Sequence, residues 1–276
     1  MTQYTWNEKI KILINSFHMI GFWMTIRYCI IHLLGYLPAN DTSFDKKFST
    51  DTSGLISSRD LTIQDSISRH SAIIYLPAPE SVTVHMIKSI NIPHRDFTFI
   101  DVGSGKGRIV LIASCFPFQA IIGIEISRQL HEIALKNIKQ AVNPSKQCFN
   151  IHMHCMNALE FTPPETPVVF HFYHPFLPDI LRPMLKIIGQ SISQNPRPIY
   201  IIYLYAVDYA QAVFEDMPFL EKIKEIKCVN SQYNWALYAG KTTFRKSIDI
   251  DLPPIENRQG QTGIQKTANA LPRTIQ

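Results

Sequence analysis

The sequence has no uninterrupted apolar stretch long enough to cross a bilayer comfortably. Its most apolar region, Ile10–Leu37, is broken by Lys11, Asn15, His18, Gly21, Arg27 and His32, and its longest charge-free run is Ile12–Ile26. No convincing small-residue cleavage site follows, so a secretory signal is not expected. Cysteine is sparse: Cys29, Cys115, Cys148, Cys155 and Cys228 are scattered, odd in number and free of any C-x-x-C pair. That pattern argues against a disulfide framework and reads as free thiols in a reducing, cytoplasmic compartment. Lys and Arg form no dense block, and a net charge of +5 is mild, so nothing marks a nucleic-acid surface. Internal repeats are lacking too.

What is present is ordinary globular material. The chain has 276 residues, 46% hydrophobic and 18% charged, enough for one sizeable core with appendages. Four regions are expected: an apolar helical extension (1–38), a segment leading to the core (39–95), an α/β core (96–241) and a polar, proline-interrupted flexible tail (242–276). For Ile10–Leu37 two readings stand: helices packed on the domain or lying in a membrane interface, or an anchor whose Arg27 snorkels to the surface. Residues 39–69 are rich in Ser, Thr and Asp, and by composition read as a loop-rich linker. A Pro77-x-Pro79 break then precedes a helix beginning near Glu80.

The centre of the pattern is FTFIDVGSGKGRIVLIAS, Phe97–Ser114. It reads as a buried strand (Phe97–Val102), a glycine turn (Gly103-Ser104-Gly105-Lys106-Gly107) and a helix start (Ile109–Ala113), the layout that converges backbone N–H groups on a nucleotide-like ligand. A dinucleotide fingerprint needs its third glycine where this chain has Arg108, and Asp101 would face a pyrophosphate unfavourably. A carboxylate at that strand tip suits instead a ligand carrying an ammonium and a sulfonium. Beyond the turn, strands are expected at Ala120–Ile126, Cys148–Met156, Pro167–Tyr173 and Pro198–Ala206, with helices at Ser127–Gln140 and Ile180–Ser191. Such alternation forces parallel pairing with right-handed crossovers, hence a doubly wound sheet, and Leu220–Val229 with Tyr233–Ala239 look like a closing antiparallel pair.

The run Asp101-x-Gly103-x-Gly105-x-Gly107 resembles motif I of the class I, Rossmann-like S-adenosylmethionine-dependent methyltransferases. FDKKFSTDTSG (Phe44–Gly54), IYLPAPE (Ile74–Glu80), DVGSGKGR (Asp101–Arg108), FQAIIGIEIS (Phe118–Ser127) and FYHPF (Phe172–Phe176) extend the likeness to small bacterial methyltransferase-like proteins of unassigned substrate. The cofactor half is also reminiscent of Rossmann-type histone lysine methyltransferases. The resemblance implies a seven-stranded, mostly parallel sheet with an antiparallel last strand and S-adenosyl-L-methionine as cofactor. It implies donor binding by Asp101, Gly103, Ser104, Gly105, Gly107 and Glu125, with Glu125 on the ribose hydroxyls, Asn157 on the adenine amino group and Met156 against its ring. Asp51, Thr52 and Tyr75 would line the cleft from a segment folded over the donor, although Ser49 stands where relatives carry a tight-turn glycine.

At the motif IV position the chain reads Tyr173-His174-Pro175-Phe176 where many relatives have Asn/Asp-Pro-Pro-aromatic or Asn-Pro-Phe. His174 and Phe176 are therefore the candidate acceptor-side residues, with His174 either a general base or a structural histidine. The methyl acceptor is left open among small molecules, protein side chains and lipid head groups, the last only because of Ile10–Leu37. A non-catalytic cofactor-binding or interaction module is the alternative function. His152, His154, Cys155, His171 and His174 fall on different strands or faces, and no metal site is expected.

Overall fold

The computed structural model describes residues 42–61, 63, 66–226 and 234–241. The apolar extension Ile10–Leu37 and the tail 242–276 lie outside these residues. Seven strands form one sheet in the order β3-β2-β1-β4-β5-β7-β6: β1 (Thr98–Val102), β2 (Ala120–Glu125), β3 (Ile151–Cys155), β4 (Val168–Tyr173), β5 (Ile199–Leu204), β6 (Leu220–Ile226) and β7 (Trp235–Gly240). The first five pair in parallel, and β7 runs antiparallel to both β5 and β6. This is the doubly wound sheet that the strand–helix alternation predicts.

The central strands read as near-continuous apolar runs because both of their faces are covered. On one face Ile100, Val102, Phe170 and Phe172 pack under α6 (Pro178–Gln194) and α7 (Asp208–Glu215), through Leu181, Met184, Leu185, Val213 and Phe214. On the other, Phe97, Phe99, Ile121 and Val169 pack under α3 (Glu80–Lys88) and α4 (Arg108–Ala113), through Met86, Ile87, Ile109 and Val110. Strand alternation puts Asp101 on the second face, in register with His171 of the neighbouring β4. The helix α5 (Arg128–Gln140) follows β2 and is capped by Ser127, whose Oγ accepts from Leu130 N at 3.4 Å.

The segment that composition reads as a linker is built into the body. Its helix α1 (Ser43–Phe48) buries Phe44 and Phe48 against Leu111 and Ile112 of α4, and Leu61 and Ile63 join Leu130 of α5. A second short helix, α2 (Ser66–Ser71), leads into residues that pair with two distant places: Tyr75 bridges Ile56, and Ala72 bridges Phe176 beyond β4. Composition missed this because a few large apolar residues carry the burial while the polar remainder finds specific partners. Among the described residues no helix is long and apolar enough to cross a membrane.

Candidate functional site

The carboxyl ends of β1, β2, β3 and β4 meet where the strand order reverses between β1 and β4, the place at which open α/β sheets bind ligands. The glycine turn occupies that point, with Gly103, Gly105 and Gly107 at φ of 77°, 53° and 83°. Its amides are turned inward. Gly103 and Ser104 N–H both donate to Ile124 O at 2.9 Å, and Gly105 N–H donates to Glu125 Oε2 at 2.8 Å. What faces the cleft is therefore rich in acceptors, not an array of free donors, which suits a cationic, hydroxyl-bearing ligand better than a pyrophosphate.

Glu125 is the pivot of this arrangement. Its second oxygen, Oε1, accepts from Ser127 N–H at 2.8 Å, so the carboxylate ties the glycine turn to the start of α5. Burial pushes its pKa up to about 7, against the lowering effect of the two amides, and the charge of nearby Asp101 adds to the rise. Each oxygen still carries a lone pair beyond the one its amide takes. Asp101 accepts from the imidazole of His171, Oδ1 to Nδ1 at 2.8 Å, while its Oδ2, and Ser104 Oγ in the turn, are buried with no hydrogen-bond partner among the described residues. These orphaned acceptors are where an ammonium would fit, so the residues present match the donor that the motif implies.

A strap formed by residues 44–54 lies over the turn. Asp45 collects the Thr50 and Thr52 hydroxyls and the Thr52 and Ser53 amides at 2.6–2.8 Å. Arg108, buried at the first position of α4, donates Nε to Thr52 Oγ1 at 2.7 Å and Nη2 to Ser53 Oγ at 3.0 Å, and its guanidinium stacks on Phe44. Lys106 in the turn reaches Asp51 Oδ1 and Ser53 O. From α5, Asn137 donates to both Asp51 O and Lys106 O and accepts from Asp51 N–H, stitching strap to turn. Tyr75 donates its hydroxyl to Thr52 O at 2.6 Å and lays its ring against Gly105. Thr52 and Tyr75 thus sit at the turn.

A Cβ on Gly105 would run into the Tyr75 ring, and its backbone lies in the left-handed region. Gly105→Ala is expected to cost about 2 kcal/mol or more of stability, read from denaturant midpoints. Shortening Tyr75 in the same chain should recover part of it; a Gly105→Ala protein as stable as the original would mean that the ring does not hold that position. Gly107 allows the turn to approach Ala134 of α5, so the third glycine serves helix contact one residue before the dinucleotide pattern would place it.

Asn157 follows β3 and caps a short helical turn, its Oδ1 accepting from Leu159 N–H and its Nδ2 donating to Ser68 Oγ at 3.3 Å. His174 follows β4 with φ of 42°, and its ring nitrogens are both engaged: Nδ1 with Tyr203 Oη at 2.7 Å and Nε2 with Tyr209 Oη at 2.6 Å. Burial lowers its pKa to about 4, so at neutral pH the imidazole is uncharged and one tyrosine donates to it while the other accepts. Phe176, half-buried beside Phe172, closes this side. His152 and His154 lie on the edge strand β3, and among the described residues no three metal-ligating side chains converge.

Asp45, Lys106, Asn137, Tyr203 and Tyr209 carry much of this geometry without having been singled out by sequence as site residues, and His171, which sequence weighed only as a metal ligand, pairs with Asp101. Asn137 did leave a signal, being a polar residue on the buried face of α5 with Leu130 and Ala134.

Residues 95–171 match the model of a family described as putative methyltransferases, a span that runs from the approach to β1 through His171. The matched span contains β1, the glycine turn, β2 and both acidic strand tips, so over that stretch the chain is similar to this family. No curated protein matches the sequence. Similar solved structures include an RNA methyltransferase from Salinibacter ruber in complex with S-adenosyl-L-homocysteine, 20% identical over 60% of this chain and 92% of that one, with a TM-score of 0.41. Another is the magnesium protoporphyrin IX methyltransferase of Synechocystis PCC 6803 with bound donor, 12% identical over 59% and 77% of the two chains, with a TM-score of 0.42.

Proposed function

We propose that the protein transfers the methyl group of S-adenosylmethionine, by in-line displacement, to an acceptor held at the carboxyl end of β4. The observation that carries this reading is the acceptor-rich cleft: two buried carboxylates, Asp101 and Glu125, at neighbouring strand tips around a glycine turn whose Gly103, Ser104 and Gly105 amides are engaged by β2. When bound, the donor supplies a methyl group already activated on a sulfonium. The chain's residues have to hold both reactants in line and keep water out.

In this reading Asp101 faces the ammonium and Glu125 takes the ribose hydroxyls on its remaining lone pairs. Asn157 and Met156 flank the adenine, and the glycines with Ser104 let the donor approach the backbone. Thr52 and Tyr75, fixed by the strap, close the cleft over it. On the acceptor side Phe176 provides an apolar wall. His174 works within the Tyr209–His174–Tyr203 chain, where it orients the Tyr209 hydroxyl and exchanges a proton only in concert with it. The acceptor class is left open among small molecules, protein side chains and lipid head groups.

Titration calorimetry with S-adenosylmethionine and with NAD tests the cofactor reading. Heat is expected for the first and none for the second, and a folded protein that gives no heat with the methyl donor would end this reading. Labelled donor offered with small molecules, peptides, nucleic acids and lipid vesicles then finds the acceptor. On that acceptor His174→Ala should lose at least about tenfold in turnover while binding donor normally; full turnover would remove His174 from the chemistry.

A further inference from the structure

We propose that His171 is a positioning residue for the methyl donor. Its Nδ1–H holds Asp101 Oδ1, so that the charge of the carboxylate is presented on Oδ2 to the α-ammonium. This rests on the donor reading above.

The two side chains face each other across β1 and β4 because residues 101 and 171 are in register on neighbouring parallel strands. Both are fully enclosed, with relative exposures of 1% and 0%. A carboxylate has no proton to give, so the 2.8 Å contact is an imidazole N–H donated to Asp101 Oδ1. The other ring nitrogen, Nε2, is buried without a partner among the described residues. The imidazole stacks on Phe99 with ring centroids 6.1 Å apart, which fixes its plane. A histidine this deep in an apolar sheet, with one nitrogen unpaired, is a poor core residue, and leucine or phenylalanine would bury more apolar surface without leaving an unpaired ring nitrogen.

What the histidine provides is direction. Buried carboxylates without donors lose the solvation of their charge, and here one donor satisfies one oxygen and leaves the other, Oδ2, without a partner among the described residues, two positions before the glycine turn begins. An ammonium supplies the missing donor.

The test uses two ligands that differ in the group concerned. S-adenosylhomocysteine carries the amino acid ammonium, and 5′-methylthioadenosine keeps the adenosine and thioether but lacks the ammonium. By calorimetry on the full chain, His171→Leu should weaken S-adenosylhomocysteine by about 10- to 100-fold and change methylthioadenosine by no more than about twofold. His171→Asn, which can place an amide N–H near the position of Nδ1, should recover most of the loss. Equal losses for both ligands, or none for either, would overturn the proposal. If the unmutated protein binds neither ligand, it is the donor reading that has failed. Should His171→Leu not fold, the unmutated protein decides: with 15N-labelled histidine, the Nδ1–H resonance that disappears in His171→Asn should move on adding S-adenosylhomocysteine and stay put with methylthioadenosine. A resonance that moves equally with both, or with neither, counts against it.

Discussion

Glu125→Gln is expected to weaken S-adenosylhomocysteine binding by roughly 10- to 100-fold. The carboxylate accepts Gly105 N–H on one oxygen and Ser127 N–H on the other, and an amide can accept on only one side. Its NH2 would therefore meet one of these two N–H groups head on, leaving a buried donor unpaired at a cost of about 1–3 kcal/mol and pushing the glycine turn out of place. The same substitution changes how stability depends on pH. Glu125 titrates at about 7 in the folded protein against 4.5 for the free side chain, so between these values the native state holds a proton that the unfolded chain has released. Stability contributed by this group is greatest below about 4.5 and is lost as pH rises through about 7. Unfolding followed from pH 5 to pH 8.5 should show that slope in the original protein and a shallower one in Glu125→Gln. Parallel curves, with unchanged ligand binding, would remove Glu125 from its central place.

Arg108→Leu should be the most destabilising change outside the apolar core, by about 3–5 kcal/mol. The guanidinium is buried and shared among Thr52 Oγ1, Ser53 Oγ and the ring of Phe44, with the Asp45 carboxylate 3.9 Å away. Without it the strap loses its fork of donors. Arg108→Lys should restore little, because an ammonium cannot reach two hydroxyls in one plane. Hydrogen exchange gives a local readout: amides of Thr52 and Ser53, which donate to Asp45, should exchange faster in either variant, while those of β1 and β4 change only in step with global stability. Protection that is unchanged at the strap would show that Arg108 is not what fastens it. Asp45 provides the matching acid dependence. Burial raises its pKa, but hydrogen bonds from Ser53, Thr52 and Thr50 outweigh that and hold it at about 2, against 3.8 for the free side chain. Its contribution, about 2 kcal/mol, is present above about pH 4 and lost as pH falls toward 2.

The two variants separate the halves of the cleft. Glu125 belongs to the sheet and shapes the turn from below; Arg108 fastens the strap that covers it. If Thr52 and Tyr75 help bind the donor, Arg108→Leu weakens donor binding as well, and more for ligands that fill the cleft beneath the strap.

Sequence by itself determined the sheet and the turn, and supplied the resemblance on which the proposed cofactor rests. Periodicity is local, so runs such as Ala120–Ile126 and Pro167–Tyr173 declare buried parallel strands wherever they end up, and β1 to β5 fall within a few residues of their expected bounds. Asp101, the three glycines and Glu125 lie close enough in the chain for spacing alone to bring them to one strand-tip site. Tertiary structure alone decided what fastens that site. The strap looks like a linker because its composition is polar, and its partners Arg108, Asn137 and Tyr75 come from 23 to 86 residues away. The pairing of Asp101 with His171 depends on β4 lying beside β1 in a particular register, which spacing along a chain does not carry. The surroundings of His174 were hidden for the same reason: only the packed fold brings Tyr203 and Tyr209, from β5 and α7, onto its two ring nitrogens. Hydrogen bonds between distant residues are set by where strands and helices stop, and that is a property of the packed fold.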